Sequence, residues 1–307
     1  MTDLFVGAVG SGEPVILVHG SLATGAEEWE AQQPLAHEGF QLLVVDRRGY
    51  GRSPAAQGED FLRDAEDIAA LMGDGAHLVG HSYGGLGVMV AAARRPDATR
   101  SLALLEPAAI TLGQDQPAAR DLVAGLLELW KLDLDDRAWM ERFLAEVGSD
   151  PEELPPELLD AAVPLVPVMR DGRLPAGGDL PIAELASAAF PKLVVSGGHH
   201  PGFEAICDDL AERIGAARSV IDGAGTRSSS PDSPSTMRCC RYGAPQQRRS
   251  DAAVAVTSMH LSHLRVEHPG ARGRLAVGGT SRPEAVRVAF RATAWATTGE
   301  MIIRTKA

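Results

Sequence analysis

Short, unbroken apolar runs recur along the chain, each ending on a polar residue or a glycine. Pro14–His19 (PVILVH) stops at Gly20, Gln41–Val45 at Asp46, His77–Val79 at Gly80, Ser101–Leu105 at Glu106 and Lys192–Val195 at Ser196-Gly197-Gly198. Runs this short and without alternation are those of strands buried on both faces, as in a parallel sheet. Between them the apolar period turns helical. Phe61, Ala65, Ile68, Leu71 and Met72 share one face of Asp60–Met72, and Ile206, Leu210 and Ile214 share one of Phe203–Ile214. Strands alternating with helices in this way predict an α/β fold: a mostly parallel sheet with helices on both faces.

The alternation breaks in two places. From Pro107 to Pro191 the pattern is helical only, clearest over Leu122–Leu132 and Trp139–Val147, with proline-rich joints such as Pro155-Pro156. An insertion of this length between two sheet strands is expected to be structured. It enters where open α/β sheets bind ligands, so it is expected to form a helical lid. Trp130, Trp139 and Phe143 either line the space beneath it or fill its own core, and the second is the expectation. From Thr226 onward neither period is visible. The predicted organisation is a core in two parts, residues 1–108 and 191–225, a lid over 109–190, and an atypical tail over 226–307 with weak order.

Charge marks the second break as well. Residues 226–307 hold 13 Lys+Arg against 5 Asp+Glu, whereas the preceding 225 residues hold 16 against 36, within an overall net charge of −12. Such an acidic balance argues against a nucleic-acid partner. The absence of any uninterrupted apolar stretch of about 18 residues argues against a membrane span. Cys207, Cys239 and Cys240 give neither an even disulfide framework nor a metal-ligand spacing, so a reducing cytoplasm and no metal are expected.

The chemistry concentrates in Gly80-His81-Ser82-Tyr83-Gly84, which follows an apolar strand and precedes the helical run Leu86–Ala93. Gly-x-Ser-x-Gly in that setting forces a sharp strand-to-helix bend with the serine strained and its hydroxyl exposed. Two further segments accompany it in order: His19-Gly20-Ser21 closes the first buried strand, and Asp46-Arg47-Arg48-Gly49-Tyr50-Gly51-Arg52-Ser53 closes the next. Together they resemble the α/β-hydrolase family over about residues 12–225. The resemblance implies Ser82 as nucleophile on an elbow formed with Gly80, His81 and Gly84, and the main-chain N–H groups of Ser21 and Tyr83 as an oxyanion hole. It implies a small-molecule substrate and no metal or organic cofactor. The arginine-rich segment either shapes the loop beneath the site or is a solvated turn. His81 is expected to point away from the reacting centre.

A serine nucleophile needs a base and an orienting carboxylate. The family places the acid after either of two strands. At one of them this chain reads Gly197-Gly198-His199-His200, with His200 where the acid is usual. The other offers Glu106, which is taken as the acid. The base should follow the last strand, Ser219–Asp222, in the turn Gly223-Ala224-Gly225, but the next residue is Thr226. A one-nucleotide shift of reading frame at this point accounts for both the change of charge and the missing histidine. Codons chosen to encode the observed Thr-Arg-Ser-Ser-Ser-Pro-Asp give His-Ala-Val-Gln-Phe-Thr-Gly once one C is restored before them. Otherwise the base comes from elsewhere, with His199 or His200 as substitutes, or there is no catalysis at all; solvated loop residues beside Pro201 are the expectation for both histidines. His260, His263 and His268 lie in the tail.

The resulting expectation is a serine-type hydrolase of a small or medium, largely apolar ester or related acyl compound, impaired by loss of the histidine. The resemblance also spans cofactor-free haloperoxidases, C–C bond hydrolases and transferases. Relatives with epoxide hydrolase or dehalogenase chemistry carry an aspartate where Ser82 stands. The alternatives are a non-catalytic small-molecule-binding protein on the same scaffold and a partly misfolded product. Oligomeric state is open.

Overall fold

A computed structural model describes residues 3–175 and 178–222, together with the short strand segments Cys240–Arg241, Ala285–Val286 and Ile302–Arg304. Thr226, His260, His263 and His268 lie outside the described residues, as does most of the 226–307 tail. The strands are β1 (Val6–Gly10), β2 (Glu13–Val18), β3 (Phe40–Val45), β4 (Ala76–His81), β5 (Thr99–Leu105), β6 (Lys192–Ser196) and β7 (Ala217–Asp222). They form one sheet in the order β1-β3-β2-β4-β5-β6-β7, with Ile302–Arg304 antiparallel beside β7. Pairing is parallel from β3 to β7, and β1 adds an antiparallel edge on β3. The sequence pattern does not announce β1, because Val-Gly-Ala-Val-Gly has too little side chain to read as a strand.

Register decides which residues meet. Val18 pairs with Gly80, His81 with Leu105, and Leu105 with Val195. The strands therefore end level with one another, and the residues just beyond them, Gly20-Ser21, Ser82, Glu106 and Gly197, share one edge of the sheet.

Strand side chains alternate between two cores. Ile16, Val18, Leu78, Leu102, Leu104 and Val194 pack against α2 (Phe61–Leu71), α3 (Ser82–Arg94) and α9 (Pro201–Ile214). Val15, Leu17, Leu42, Val44, Val79 and Ala103 face the other way, onto Trp29 and Leu35 of the 3₁₀ segment Glu30–Glu38 that follows α1 (Gly25–Glu28). Asp60 caps α2 by accepting the Leu62 N–H at 2.9 Å.

The segment between β5 and β6 is helical: α4 (Pro117–Leu129), α5 (Asp136–Glu146), α6 (Pro156–Ala162), α7 (Val166–Arg170) and α8 (Ile182–Ser187). It has an apolar core of its own, with Leu129, Trp139, Met140, Leu144, Leu159, Val166 and Met169 buried against Tyr50. Trp139 is wholly buried and stacks on Phe143 at 5.5 Å, with Trp130 edge-on at 5.0 Å. Each such side chain contributes about 1.5–3 kcal/mol through burial. α4 starts at Pro117, a turn or more before the visible apolar period, because proline suits the first helical position. Among the described residues no helix is long and apolar enough to cross a membrane.

Candidate active site

β4 passes into α3 without a loop. His81 is still extended (φ −107°, ψ 141°), whereas Ser82 has φ 48° and already opens the helix. Among the described residues the only other non-glycine at positive φ is Glu106, at 41°. Holding an ordinary residue there costs about 1–3 kcal/mol. The bend needs its glycines for space. A Cβ on Gly80 would lie 2.5 Å from Val88 Cγ2, and one on Gly84 would overlap the His19 carbonyl oxygen. Gly84→Ala is therefore expected to push α3 from β2, destabilising the fold by about 1–3 kcal/mol and misplacing Ser82. Chemical denaturation checks the first effect and turnover the second.

The strand beside the bend ends in His19-Gly20-Ser21, held from below by Arg47. This guanidinium is 1 % exposed and donates to the carbonyls of His19 and Gly20, both at 3.0 Å. It is neutralised by Glu59 at 2.9 Å and Asp64 at 3.1 Å, and lies over the Tyr50 and Tyr83 rings at 4.5 and 4.9 Å. The alternative of a solvated turn is thus overturned for Arg47: the strand edge supplies carbonyls that only a buried donor can satisfy. Arg48 pairs with Asp67 and Asp3, and Arg52 stacks on Phe5. Burial raises Asp64 to about 6 despite the nearby guanidinium.

His19 Nε2 accepts the Arg47 main-chain N–H at 3.0 Å, so Nδ1 carries the proton and donates to the Gly20 carbonyl at 2.6 Å. Burial keeps this imidazole neutral, pushing it down to about 3. The Gly20 carbonyl therefore has two donors, and in a trans peptide the Ser21 N–H must point the opposite way. That N–H meets no acceptor among the described residues. The Ser21 hydroxyl is turned aside to Glu59, at 2.9 and 3.0 Å. Tyr83 lies in the first turn of α3, where a main-chain N–H has no acceptor within the helix. Its ring is anchored at the hydroxyl, 2.7 Å from the Arg173 carbonyl.

Across the bend, the Ser82 carbonyl accepts the Ala108 N–H at 3.0 Å, which fixes the end of β5 beside it. Glu106 accepts the Gly197 N–H at 2.6 Å and stands 3.2 Å from His199 Nδ1. His199 Nε2 lies 3.3 Å from the Val147 carbonyl of the helical insertion. Nδ1 is thus turned to the carboxylate and Nε2 to a main-chain carbonyl. Burial opposes charge on both partners, but the pair outweighs it. Glu106 is held below its ordinary range and His199 is raised above 6.5. The pair's stabilisation is present above the carboxylate's unfolded pKa and is lost as pH falls through its lowered folded value. On the histidine side it is full below about pH 6.5 and fades as pH rises through the raised folded value. Glu106→Gln is expected to lower the His199 titration midpoint, measurable by NMR.

The expectation of solvated histidines beside Pro201 is overturned for His199, whose side chain is 4 % exposed. His200 instead caps α9, its Nδ1 accepting the Gly202 N–H at 3.0 Å, so its lone pair is already engaged. Burial, with His199 as neighbour, holds it below its ordinary range. Gly148 of the insertion closes over both rings, a Cβ there lying 3.1 Å from His200 and 3.3 Å from His199. His81 turns to Glu28, with Nδ1 at 3.1 Å. Ser82, Ser21, Tyr83, Glu106 and His199 are therefore gathered at one edge of the sheet, and His200 is assigned to a helix end.

A family model for the α/β hydrolase fold matches residues 13–146. The chain is 34% identical over 142 residues to a pimeloyl-[acyl-carrier protein] methyl ester esterase of Aeromonas salmonicida, covering 44% of this chain and 54% of that protein. It is 31% identical over 198 residues to the protein of that name from Serratia marcescens, covering 60% of this chain and 76% of that one. The chain belongs to the α/β-hydrolase fold family. The crystal structure of an α/β hydrolase from Sphaerobacter thermophilus superimposes with a TM-score of 0.50 at 27% identity, over 72% of this chain and 89% of that one. The match to the Aeromonas protein spans about half of that relative's length.

In this α/β hydrolase a small apolar crevice lies between the segment after β2 and the insertion, lined by Leu22, Leu144, Leu154, Leu158 and Leu159 with Ser149. Leu22 directly follows Ser21. Sequence reasoning did not find Glu28 or Glu59. Neither belongs to a short motif, and each reaches the site only through the packing of a connecting segment.

Proposed function

We propose that this α/β hydrolase is a serine-type esterase for small or medium, largely apolar esters, with residues 109–190 as its lid. Ser82 Oγ attacks the ester carbonyl, and the N–H groups of Ser21 and Tyr83 hold the oxygen that becomes negative. In related chemistry each such donor is worth about 3 kcal/mol in the transition state. An imidazole oriented by Glu106 takes the serine proton and passes it to the leaving alcohol; water then releases the acyl group by the reverse proton path. In this chain that imidazole is His199, once its Nε2 leaves the Val147 carbonyl. In a frame-restored chain it is the histidine replacing Thr226. The esterase names of the relatives support an ester as the substrate.

The observation that carries this reading is Ser82 at φ 48° on a bend too tight for any side chain at Gly80 or Gly84. A fluorophosphonate probe tests it: labelling is expected at Ser82, mapped by peptide mass spectrometry, together with hydrolysis of short p-nitrophenyl esters. A second reading, a non-catalytic binding protein, is favoured by the engagement of His199 Nε2 with Val147 rather than with the serine. A folded sample that takes no probe, yet is thermally stabilised by apolar esters, would establish that reading instead.

A further inference from the structure

A buried carboxylate that takes no part in the proton path joins the two strand ends of the site. Glu28 closes α1, and α1 has little freedom. The Gly25 N–H donates to Asp46 Oδ1 at 2.9 Å, and a Cβ on Gly25 would lie 2.5 Å from the Val45 carbonyl oxygen. The Glu28 side chain, 10 % exposed, accepts the Gly20 N–H at 3.0 Å through Oε2, which also stands 3.1 Å from His81 Nδ1. Gly20 precedes Ser21, and His81 precedes Ser82. One carboxylate therefore touches the residue before each half of the proposed machinery. The two halves are already in contact, since a Cβ on Gly20 would lie 3.0 Å from Ser82 Cβ and 3.1 Å from His81 Nδ1.

We propose that Glu28 and His81 are positioning residues, a carboxylate–imidazole bridge that sets the spacing and aim of the oxyanion loop against the nucleophile bend. The proposal rests on the serine-esterase reading above. Gly20 has no side chain to restrict it and by itself rotates widely. Its carbonyl is held by Arg47 and His19, which fixes one peptide plane; its N–H is held by Glu28, which fixes the other. The Ser21 N–H shares the first plane and turns at Gly20 against the second, so releasing Glu28 loosens the hinge on which that N–H is aimed, and a misplacement of about 1 Å in such a site costs about 100-fold in rate.

The charges around the bridge agree with this role. Burial opposes ionisation of Glu28, but His81 facing it holds its pKa below the ordinary value. His81 faces Glu28 and, further off, Glu106, and is raised. His19, the other imidazole near Glu28, is neutral. Both shifts favour the charged form of the pair.

Glu28→Gln and Glu28→Ala in the full chain test the proposal by rate, affinity and titration. Glu28→Ala is expected to lower kcat on a short p-nitrophenyl ester, and the rate of fluorophosphonate labelling, by about 10- to 100-fold, with KM changed less than about two-fold. Glu28→Gln preserves shape and an acceptor for Gly20, so its loss is smaller and guards against a mere folding defect. In both variants the His81 titration midpoint, followed by NMR, falls. Rates within about two-fold of the parent, an effect confined to KM, or an unmoved His81 midpoint would overturn the bridge. A parent chain that takes no label overturns the esterase reading and with it the purpose of the bridge. A labelled parent with unaltered variants overturns the bridge alone.

Discussion

Ser82→Ala is expected to lower ester turnover by about 10⁴- to 10⁶-fold in the frame-restored chain, and by about 10- to 10³-fold in the slower chain as it stands, and to abolish fluorophosphonate labelling, while denaturation midpoints stay near those of the parent. The magnitude follows from the order of events: without the hydroxyl no acyl-enzyme forms, and what survives is the rate that the oxyanion donors and binding give to water alone. Stability should hold because the substitution removes one oxygen from a bend whose left-handed residue is strained with either side chain. Single-turnover assays on p-nitrophenyl esters, with circular dichroism as control, decide the matter. A variant that keeps more than about a tenth of the parent rate would remove Ser82 from the chemistry.

The second large effect concerns the base. Restoring one nucleotide before codon 226 is expected to raise kcat/KM by about 10³-fold or more, because an imidazole that alternates as base and acid commonly supplies that much. Under the proposed mechanism His199 would fill that office in the chain as it stands, with its Nε2 turned to Val147, a geometry expected to give a slow enzyme. His199→Asn separates the two cases. It should remove the residual activity of the present chain and leave most of the activity of the frame-restored one. Equal rates with and without the restored nucleotide would dispose of the frame-shift account, as would genomic DNA that encodes Thr226 in an uninterrupted frame.

Much of the fold lay open in the sequence because both of its signals are local. Unbroken apolar runs ending in glycine or a carboxylate mark parallel strands, and the residues that follow them fall at one sheet edge wherever the strands end in register. The resemblance singled out Ser82, Ser21 and Glu106, and the level strand ends bring those three positions to one edge. What stayed hidden depends on partners distant in sequence. Nothing local distinguishes Arg47 from Arg48 in Asp-Arg-Arg-Gly; one is wholly buried beneath His19-Gly20 and the other reaches Asp67 and Asp3. His199 and His200 are adjacent and alike in sequence, yet one turns to Glu106 and the other caps a helix. β1 was missed for the opposite reason, too little side chain to give a period.

The Arg47 guanidinium sealed under the His19-Gly20-Ser21 segment has a consequence for how the protein meets its surroundings. Mobile ions weaken attraction between charges that water can reach, over a distance of about 10 Å at 0.1 M salt, and leave pairs shut away from water nearly untouched. Exposed pairs such as Lys131 with Glu128 should loosen as ionic strength climbs, but Arg47 with Glu59 and Asp64 should not. The aim of the amides above that arginine is thus insulated from the medium, and brine and dilute buffer should find them pointing the same way.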